Sequence, residues 1–226
     1  MSATATAEEP DARRLQILRA ALDVIVERGY PATRIADIAE RVGVSPALVV
    51  YYFKSKELLL AEAMRLAEDV WYAESTRRIE RIPTAAGRLE ELVRLTCLPH
   101  DGIGLAEDSP SLWIDLWSQS IRRPEIRSVR EEFDGHWRKT VGDVVRYGRD
   151  RGELGDVDPD DAAIALCALL DGLSVQIALR DPVVGEERAF SVAMGFASVL
   201  LGFPWGRATR RRRRRGPPLD PSGSGA

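Results

Sequence analysis

The sequence has little that would serve catalysis, metal binding or disulfide formation. Its 226 residues include two cysteines, Cys97 and Cys167, and two histidines, His100 and His136. Both cysteines stand in apolar surroundings, so we expect reduced, buried thiols and no disulfide framework. Neither histidine has further ligands at metal-binding spacing. No nucleophile elbow, phosphate-binding glycine loop or catalytic carboxylate pair can be identified, so we expect no enzyme activity, metal site or cofactor.

Long apolar runs and strand-like patterns are also missing. No apolar run reaches the roughly 18 residues that a membrane-spanning helix needs, and the polar, acidic amino terminus is unlike a secretory signal. The alternation of apolar and polar residues that is typical of strands occurs nowhere, and no internal repeat is visible. With 45% hydrophobic residues to fill a core, we expect an all-α cytoplasmic protein.

Acidic and basic residues are unevenly distributed along the chain. Residues 1–60 carry eight basic and eight acidic side chains, whereas residues 207–226 carry seven arginines and one aspartate. Since the whole chain has a net charge of −3, a charge of −9 falls on residues 61–206. A phosphate backbone responds to local charge, so the acidic total does not exclude DNA as a partner.

Helix start and stop signals divide the chain into four parts. We predict a disordered arm over 1–11, a unit of three helices over 12–60, a longer helical unit over 61–205 and a disordered arginine-rich tail over 206–226. Serine, threonine or aspartate, in several cases followed by proline, precedes or begins the helices predicted near residues 33, 46, 55, 85, 110 and 159. Pro124 opens a further helix, and the last predicted helix begins near residue 186. The fourth helix is predicted to end at about Trp71.

The stretch from Thr33 to Lys56 has the layout of a helix-turn-helix DNA reader. Ala39 is small where the two helices cross, Gly43 allows a sharp turn, and Ser45 caps the second helix. We expect the outer face of that helix in the major groove and the helix ends against phosphates. The predicted DNA-contacting residues are Thr33, Arg34, Ser45, Pro46, Ala47, Tyr51, Tyr52, Lys54 and Lys56. A core helical hairpin without a nucleic-acid role is the alternative.

A longer set of positions in this stretch resembles the DNA-binding module of the tetracycline-repressor (TetR) family of bacterial regulators. The resemblance covers residues 12–60 and rests on Thr33, Ile38-Ala39, Gly43-Val44-Ser45, Tyr52-Phe53, Lys56 and Leu59. It implies an all-α homodimer with an N-terminal three-helix DNA-binding domain and a C-terminal helical ligand-binding and dimerisation domain. Ala47 and Val50 depart from the family pattern, which usually has glycine and a phosphate-contacting tyrosine there, so Tyr51 is expected to take over that contact.

The C-terminal part is similar to the choline-responsive, BetI-like branch of the same family. The segments concerned lie within residues 110–185 and read SLWIDLWSQSIRRPEIRSV, HWRKTVGDVVRYGRDRGEL and DPDDAAIALCALLDGLSVQIALRDP. This likeness implies the helical architecture of the domain more than the identity of its ligand. The last two helices, rich in alanine and apolar residues, are expected to pair with their two-fold mates as a four-helix bundle.

Tryptophans and carboxylates in the C-terminal part suggest a site for a cationic or aromatic ligand, because ammonium groups bind to aromatic faces and to carboxylates. The candidate residues are Trp71, Trp113, Trp117, Trp137 and Asp171, with Asp115 as a second carboxylate. Core packing is the alternative for each tryptophan. Asp171 stands in an otherwise apolar helix, and it is expected to pair with Arg146 or Arg149, to cap a neighbour across the dimer, or to face the ligand.

Together these features predict a sequence-specific DNA-binding transcriptional regulator. The favoured form is a homodimeric repressor that leaves a palindromic operator when a small molecule binds, in the cytoplasm and on the nucleoid when DNA-bound. A ligand-independent or activating regulator and, more remotely, an all-α enzyme are the alternatives. The arginines at 207 and 210–215 either form a solvated tail or attract phosphates without sequence preference.

Overall fold

The structure is a computed structural model that describes residues 8–98 and 110–206. Within these ranges the regular secondary structure is α-helical, as the sequence predicted. The helices are α1 (Glu8–Ala32), α2 (Ile35–Val42), α3 (Pro46–Phe53), α4 (Lys56–Glu80), α5 (Ala85–Cys97), α6 (Pro110–Ser120), α7 (Pro124–Asp150), α8 (Pro159–Ala178) and α9 (Glu186–Leu200). The predicted loop over 99–109, and the tail predicted over 206–226 except for its first residue, lie outside the described residues.

Helix α1 differs from the prediction at both ends. It begins at Glu8, so the last residues of the predicted arm are helical. The backbone leaves the helical conformation at Gly29, with φ 76° and ψ 158°, and Pro31 follows. Glycine adopts this conformation without steric cost. Gly29 therefore ends the straight part of α1, as the sequence predicted, although helical turns continue to Ala32.

Side-chain caps mark the starts of α3, α4, α5 and α8. The Oγ of Ser45 accepts a hydrogen bond from the backbone N–H of Leu48, and the Oγ of Ser55 accepts one from Leu58, each at 3.2 Å. Helix α4 was predicted to end at Trp71 but continues to Glu80. The last turns of α4 are mostly polar, so no apolar periodicity marks them in the sequence. They are stabilised in the structure because Ser75 and Ile79 are buried.

Two apolar clusters form the core. The first joins α1–α4 to Leu116 of α6 and to Ile126, Val129 and Phe133 of α7. The second joins α5, the second half of α7, α8 and α9 to Ile79 near the end of α4. Since full burial of one large apolar side chain contributes about 1.5–3 kcal/mol, the first cluster fixes the amino-terminal helices onto α6 and α7. Cys97 and Cys167 are buried free thiols, as predicted.

Helix α8 is, by length and composition, apolar enough to cross a bilayer, which corrects the expectation that the sequence has no such run. A helix in a protein core can have the same composition. Here α8 packs against α7 and α9 and carries Asp171 in its middle. Its apolar residues are divided between a buried face and an exposed face, on which Ile164 is 56% exposed.

Candidate functional site

Helix α3 has one buried face and one exposed face. Val49 and Phe53, four residues apart, are buried in the first cluster, whereas the side chain of Tyr51 is 79% exposed. On the preceding helix Ile38 and Ala39 are also buried. Gly43 has a φ of 73° and its N–H donates to the carbonyls of Ala39 and Glu40, so the tight turn between α2 and α3 is confirmed.

Most of the predicted DNA-contacting residues are exposed around this helix. They are Arg34 before α2, Ser45, Pro46, Ala47 and Tyr51 on α3, and Lys54 at its end. Lys54 has a positive φ of 64°, which is uncommon for a residue other than glycine. Such a conformation persists only where the surrounding structure imposes it. It sets the direction in which the backbone leaves α3 towards Ser55.

Three of the predicted residues are positioned differently. Thr33 is 1% exposed, and its hydroxyl donates a hydrogen bond to the carbonyl of Gly29 at 2.8 Å. It neither caps α2 nor offers its side chain to a phosphate, because tertiary packing encloses it. Tyr52 is half-buried and packs on the first cluster, with its ring edge against Tyr51.

Lys56 also points inward. Its Nζ donates to the carbonyl of Tyr30 at 3.0 Å and lies 5.2 Å from the centre of the Tyr30 ring. Burial lowers the pKa of Lys56, and the negative charge of Glu57 partly opposes this. The ammonium group thus joins the start of α4 to the segment after Gly29, a contact that sequence spacing could not reveal.

This segment also contacts α6. The N–H of Tyr30 donates to Oδ2 of Asp115 at 2.9 Å. Arg123, in the turn between α6 and α7, donates to Oε1 of Glu57 at 2.7 Å and lies 5.8 Å from the Tyr30 ring. Asp115, which the sequence suggested as a second carboxylate for a cation, is thus engaged by a backbone N–H. Tyr30 is the point where α1, α4, α6 and the α6–α7 turn meet, and we name these contacts the Tyr30 junction.

An open cleft of about 510 Å³ lies between α6, α7 and α8. Its lining residues are Trp117, Ser120, Ile121, Arg127, Arg130, Asp134 and Asp171. Trp117 and Asp171 are two of the predicted ligand-binding residues. Burial, and next the negative charge of Asp134, raise the pKa of Asp171 to about 6, while Arg138 acts in the opposite direction. The volume is within the range of small-molecule sites in proteins.

The predicted partners of Asp171 are engaged elsewhere. Arg146 forms ion pairs with Asp143 and Asp160, and Arg149 pairs with Asp150. The expected pairing of Asp171 with either arginine is therefore wrong, and the carboxylate faces the cleft instead. The sequence predicted α8 correctly. It could not predict which carboxylates pair with Arg146 and Arg149, because that depends on how α7 and α8 are rotated about their axes.

The four tryptophans do not form a single cage. Trp71 and Trp137 contact each other edge to face with ring centres 5.9 Å apart. Trp113 packs against Phe133 at 5.8 Å and remains 37% exposed. Of the four, Trp117 alone lines the cleft described above. The sequence predicted that these rings lie on helices. It could not predict how α4, α6 and α7 are rotated about their axes, and this rotation keeps the rings apart.

Glu68 was not recognised from the sequence. It is 4% exposed, and its Oε2 is buried without a hydrogen-bond partner in the described part of the chain. Burial, then the charges of Glu132, Asp69 and Asp134, raise its pKa to about 9, so the carboxyl is protonated at neutral pH. Its burial could have been predicted from helical spacing, because Glu68 follows the apolar Met64 by four residues and therefore lies on the same buried face of α4.

Helices α8 and α9 leave an apolar face uncovered. Ile164 is 56% exposed, Val192 46%, Phe196 42% and Val199 83%. A single exposed apolar side chain is common, but a group on two neighbouring helices indicates a surface for a protein partner. In the described ranges no three histidine, cysteine or acidic side chains gather as a metal-ligand set.

Comparisons with known proteins agree with this architecture. Residues 17–63 match the family described as "Bacterial regulatory proteins, tetR family", and residues 85–202 match "BetI-type transcriptional repressor, C-terminal". The chain is 27% identical over 190 residues to the HTH-type transcriptional regulator BetI of Burkholderia lata, covering 84% of this chain and 94% of that protein.

Two solved structures are similar along almost their whole length. A putative transcriptional regulator from Saccharomonospora viridis, in complex with choline, is 32% identical, with a TM-score of 0.75 over 85% of this chain and 98% of that one. A putative TetR-family regulator from Rhodococcus sp. is 26% identical, with a TM-score of 0.71 over 84% of this chain and 99% of that one.

Proposed function

The chain belongs to the tetR family of bacterial regulatory proteins, and on this premise we propose that it is a homodimeric repressor that a small organic cation releases from a palindromic operator. It is a DNA-binding transcriptional regulator and not an enzyme. Regulators of this family are cytoplasmic, and association with the nucleoid would follow from operator binding.

The exposed face of α3, opposite a fully buried face, is the observation that carries the DNA-binding role. Tyr51 and the N-terminal residues Pro46 and Ala47 project from the protein where no described side chain covers them. We assign major-groove contacts to these residues, with Tyr51 also reaching a phosphate, and further phosphate contacts to Ser45, Arg34 and Lys54. Tyr52 and Lys56, which the sequence placed in the interface, support it from behind because they contact the first core cluster and the Tyr30 junction.

The exposed apolar face of α8 and α9 supports the homodimer. A two-fold axis through this face would bring four helices together, and each subunit would cover the partner's Val199 and Phe196. The two copies of α3 would then read two half-sites, whose centres are separated by one DNA turn of roughly 34–36 Å or a multiple of it. A palindromic operator is the consequence of this symmetry.

The α6–α7–α8 cleft is the proposed effector site. Trp117 and Asp171 offer an aromatic face and a carboxylate to an ammonium group. The similar regulator from Saccharomonospora viridis is in complex with choline, an ammonium compound, which supports this chemistry. The contacting pair Trp71 and Trp137 and the ring of Trp113 are proposed as outer walls or packing residues, since the cleft lining does not include them.

Release follows if the effector binds better to a conformation with the two α3 helices at a different separation. An effector shifts the population of conformations only by its difference in affinity for them. Helix α6 contributes Trp117 to the cleft and Asp115 to the Tyr30 junction. A small rotation of α6 on effector binding would therefore move the segment that holds α2 and α4.

Selection of bound duplexes from random oligonucleotides tests the proposal. We expect a palindromic consensus with half-site centres one DNA turn apart, and a lower affinity for this consensus when millimolar choline is added. Recovery of no consensus would contradict the DNA-reading role. An affinity that neither choline nor other small ammonium compounds change would contradict release by a cation, and would leave a ligand-independent regulator.

A further inference from the structure

We propose that the effector is a zwitterion, with an ammonium group held by Trp117 and Asp171 and an oxyanion held by Arg127. This inference rests on the proposed effector cleft and specifies the chemical class of its ligand. It follows from the pairing of the charged side chains that line the cleft. Choline carries the ammonium group alone, so it would bind through Trp117 and Asp171 but more weakly than a ligand that also brings the oxyanion.

Four charged side chains line the cleft, and two of them neutralise each other. Arg130 and Asp134 are four residues apart on α7 and form an ion pair through Nη1 and Oδ2. Both are more than half shielded from solvent, with side chains 34% and 25% exposed. The two opposite charges largely cancel, so this pair adds little net charge to the cleft. The remaining two charged residues, Arg127 and Asp171, therefore determine which charges a ligand must bring.

Arg127 has no carboxylate partner among the described residues. Its Nε donates to the carbonyl of Ser120 at 3.3 Å, and its Nη2 donates to the carbonyl of Ile121 at 3.2 Å. These contacts hold the guanidinium at the end of α6, at the edge of the cleft. An arginine side chain has five N–H donors, so donors are left for an oxyanion. Carboxylates and phosphates are the groups that such a planar donor set binds best.

Asp171 lacks an ion-pair partner in the same part of the chain. Arg138 is the basic residue whose charge acts on it, but the two do not come within ion-pair distance. The carboxylate lies half-buried in the cleft wall, in the middle of the apolar helix α8. A buried charge without a partner is costly. A ligand ammonium group placed against Asp171 and the Trp117 ring would remove this cost.

The complementary ligand has one pole of each sign. A simple cation would satisfy Asp171 and leave Arg127 without an anion, and an anion would do the reverse. A zwitterion satisfies both at once without disturbing the pair of Arg130 and Asp134. The cleft of about 510 Å³ admits a molecule of this kind, with room for a short chain between its poles.

Two matched ligand pairs test this inference on the purified full-length protein by isothermal titration calorimetry. One pair is γ-trimethylammoniobutyrate and its methyl ester, and the other is phosphocholine and choline. Each pair shares the ammonium head and differs in the oxyanion. Since a charge-assisted hydrogen bond contributes about 1.5–3 kcal/mol, we expect each zwitterion to bind about tenfold or more tightly than its partner. Equal affinities, or tighter binding of the pure cations, would overturn the inference.

Variants of the cleft residues test which side chain binds each charged group of the ligand. Arg127→Gln is expected to weaken the zwitterions to the level of their cationic partners and to leave the affinity for the cations unchanged. Arg127→Lys, which keeps the charge, should retain part of the preference. Asp171→Asn should weaken all four ligands. Arg122→Gln, on an exposed neighbouring arginine outside the cleft lining, is the matched control and should change nothing. A preference that persists in Arg127→Gln would contradict the assignment of the oxyanion pole.

The same titrations separate the two levels of the proposal. If the cations bind and release DNA but the zwitterions bind no better, the zwitterion inference fails and the cationic effector function stands. If none of the four ligands binds, both the zwitterion inference and the cationic effector fail, while DNA binding is unaffected. Operator affinity measured with each ligand connects the calorimetry to function.

Discussion

The carboxylate of Asp115 on α6 accepts a hydrogen bond from the backbone N–H of Tyr30, with Oδ2 2.9 Å from the nitrogen. A Cβ atom at Gly29 would approach the same oxygen to 3.2 Å, so the fit is close. Trp117, two residues further along α6, lines the proposed effector cleft. Helix α6 thus carries both a ring that lines the cleft and the contact that holds the segment before α2.

Asp115 should affect how strongly effector binding lowers the affinity for the operator. We expect Asp115→Ala to leave effector affinity unchanged and to reduce the effector-induced loss of operator affinity by about tenfold, the equivalent of one charge-assisted hydrogen bond. Calorimetry for the effector and fluorescence anisotropy for the operator measure the two quantities. Ser118→Ala, on an exposed residue of the same helix, is the control. Unchanged coupling in Asp115→Ala would remove Asp115 from the release mechanism.

Lys54 and Lys56 should behave differently although both were predicted to contact DNA. Lys54 is exposed at the end of α3, whereas the Nζ of Lys56 is bonded to the Tyr30 carbonyl. Lys54→Ala should weaken operator binding. It should also make the negative slope of log affinity against log salt shallower by about 0.9, the value for one phosphate contact. Lys56→Met should lower thermal stability and leave the salt slope unchanged. A reduced slope for Lys56→Met would place its ammonium on a phosphate.

Glu68 should make stability depend on pH. Its native pKa of about 9 lies above the value in an unfolded chain, so the native state keeps a proton that the unfolded state loses as pH rises above about 4.5. This contribution to the free energy of unfolding therefore falls with rising pH, by at most roughly 4 kcal/mol between about pH 5 and pH 8. Urea unfolding of the parent protein and of Glu68→Gln at pH 5 and at pH 8 measures this change in the free energy of unfolding.

The neutral amide in Glu68→Gln cannot titrate, so the difference between the two proteins isolates this residue from the other acidic groups. We expect the variant to gain stability relative to the parent as pH rises. A constant difference across the range would show that Glu68 is ionised in the folded protein or has found a partner.

The exposed face of α8 and α9 should be required for dimerisation. Val199→Asp places a charge on a side chain that is 83% exposed, so the fold of one subunit should tolerate it. In a dimer the same charge would be buried without a partner, which is strongly unfavourable. We expect sedimentation to show a monomer with much weaker operator binding. Val70→Asp, on an exposed valine of α4, serves as the control and should remain dimeric. A dimeric Val199→Asp would move the interface elsewhere.

The sequence predicted what depends on short-range spacing. Ser45 and Gly43 mark the turn between α2 and α3 because a cap and a left-handed residue have local requirements. The contacts of Thr33, Lys56 and Asp115 were missed or assigned otherwise, since their partners follow from tertiary packing. Asp115 and Tyr30 lie 85 residues apart, and no periodic pattern links them. Local signals therefore located α3 and its turn, whereas tertiary structure determines which neighbouring side chains stay exposed beside it.

The most direct test of the DNA-reading role is operator affinity in Tyr51 variants. The side chain is 79% exposed on α3, so its removal should not affect folding. We predict that Tyr51→Ala lowers affinity for the selected operator by about 10- to 100-fold, the loss of one good contact of about 1–3 kcal/mol, with an unchanged melting temperature. Undiminished operator binding by a folded Tyr51→Ala dimer would contradict the assignment of α3 as the helix that reads DNA.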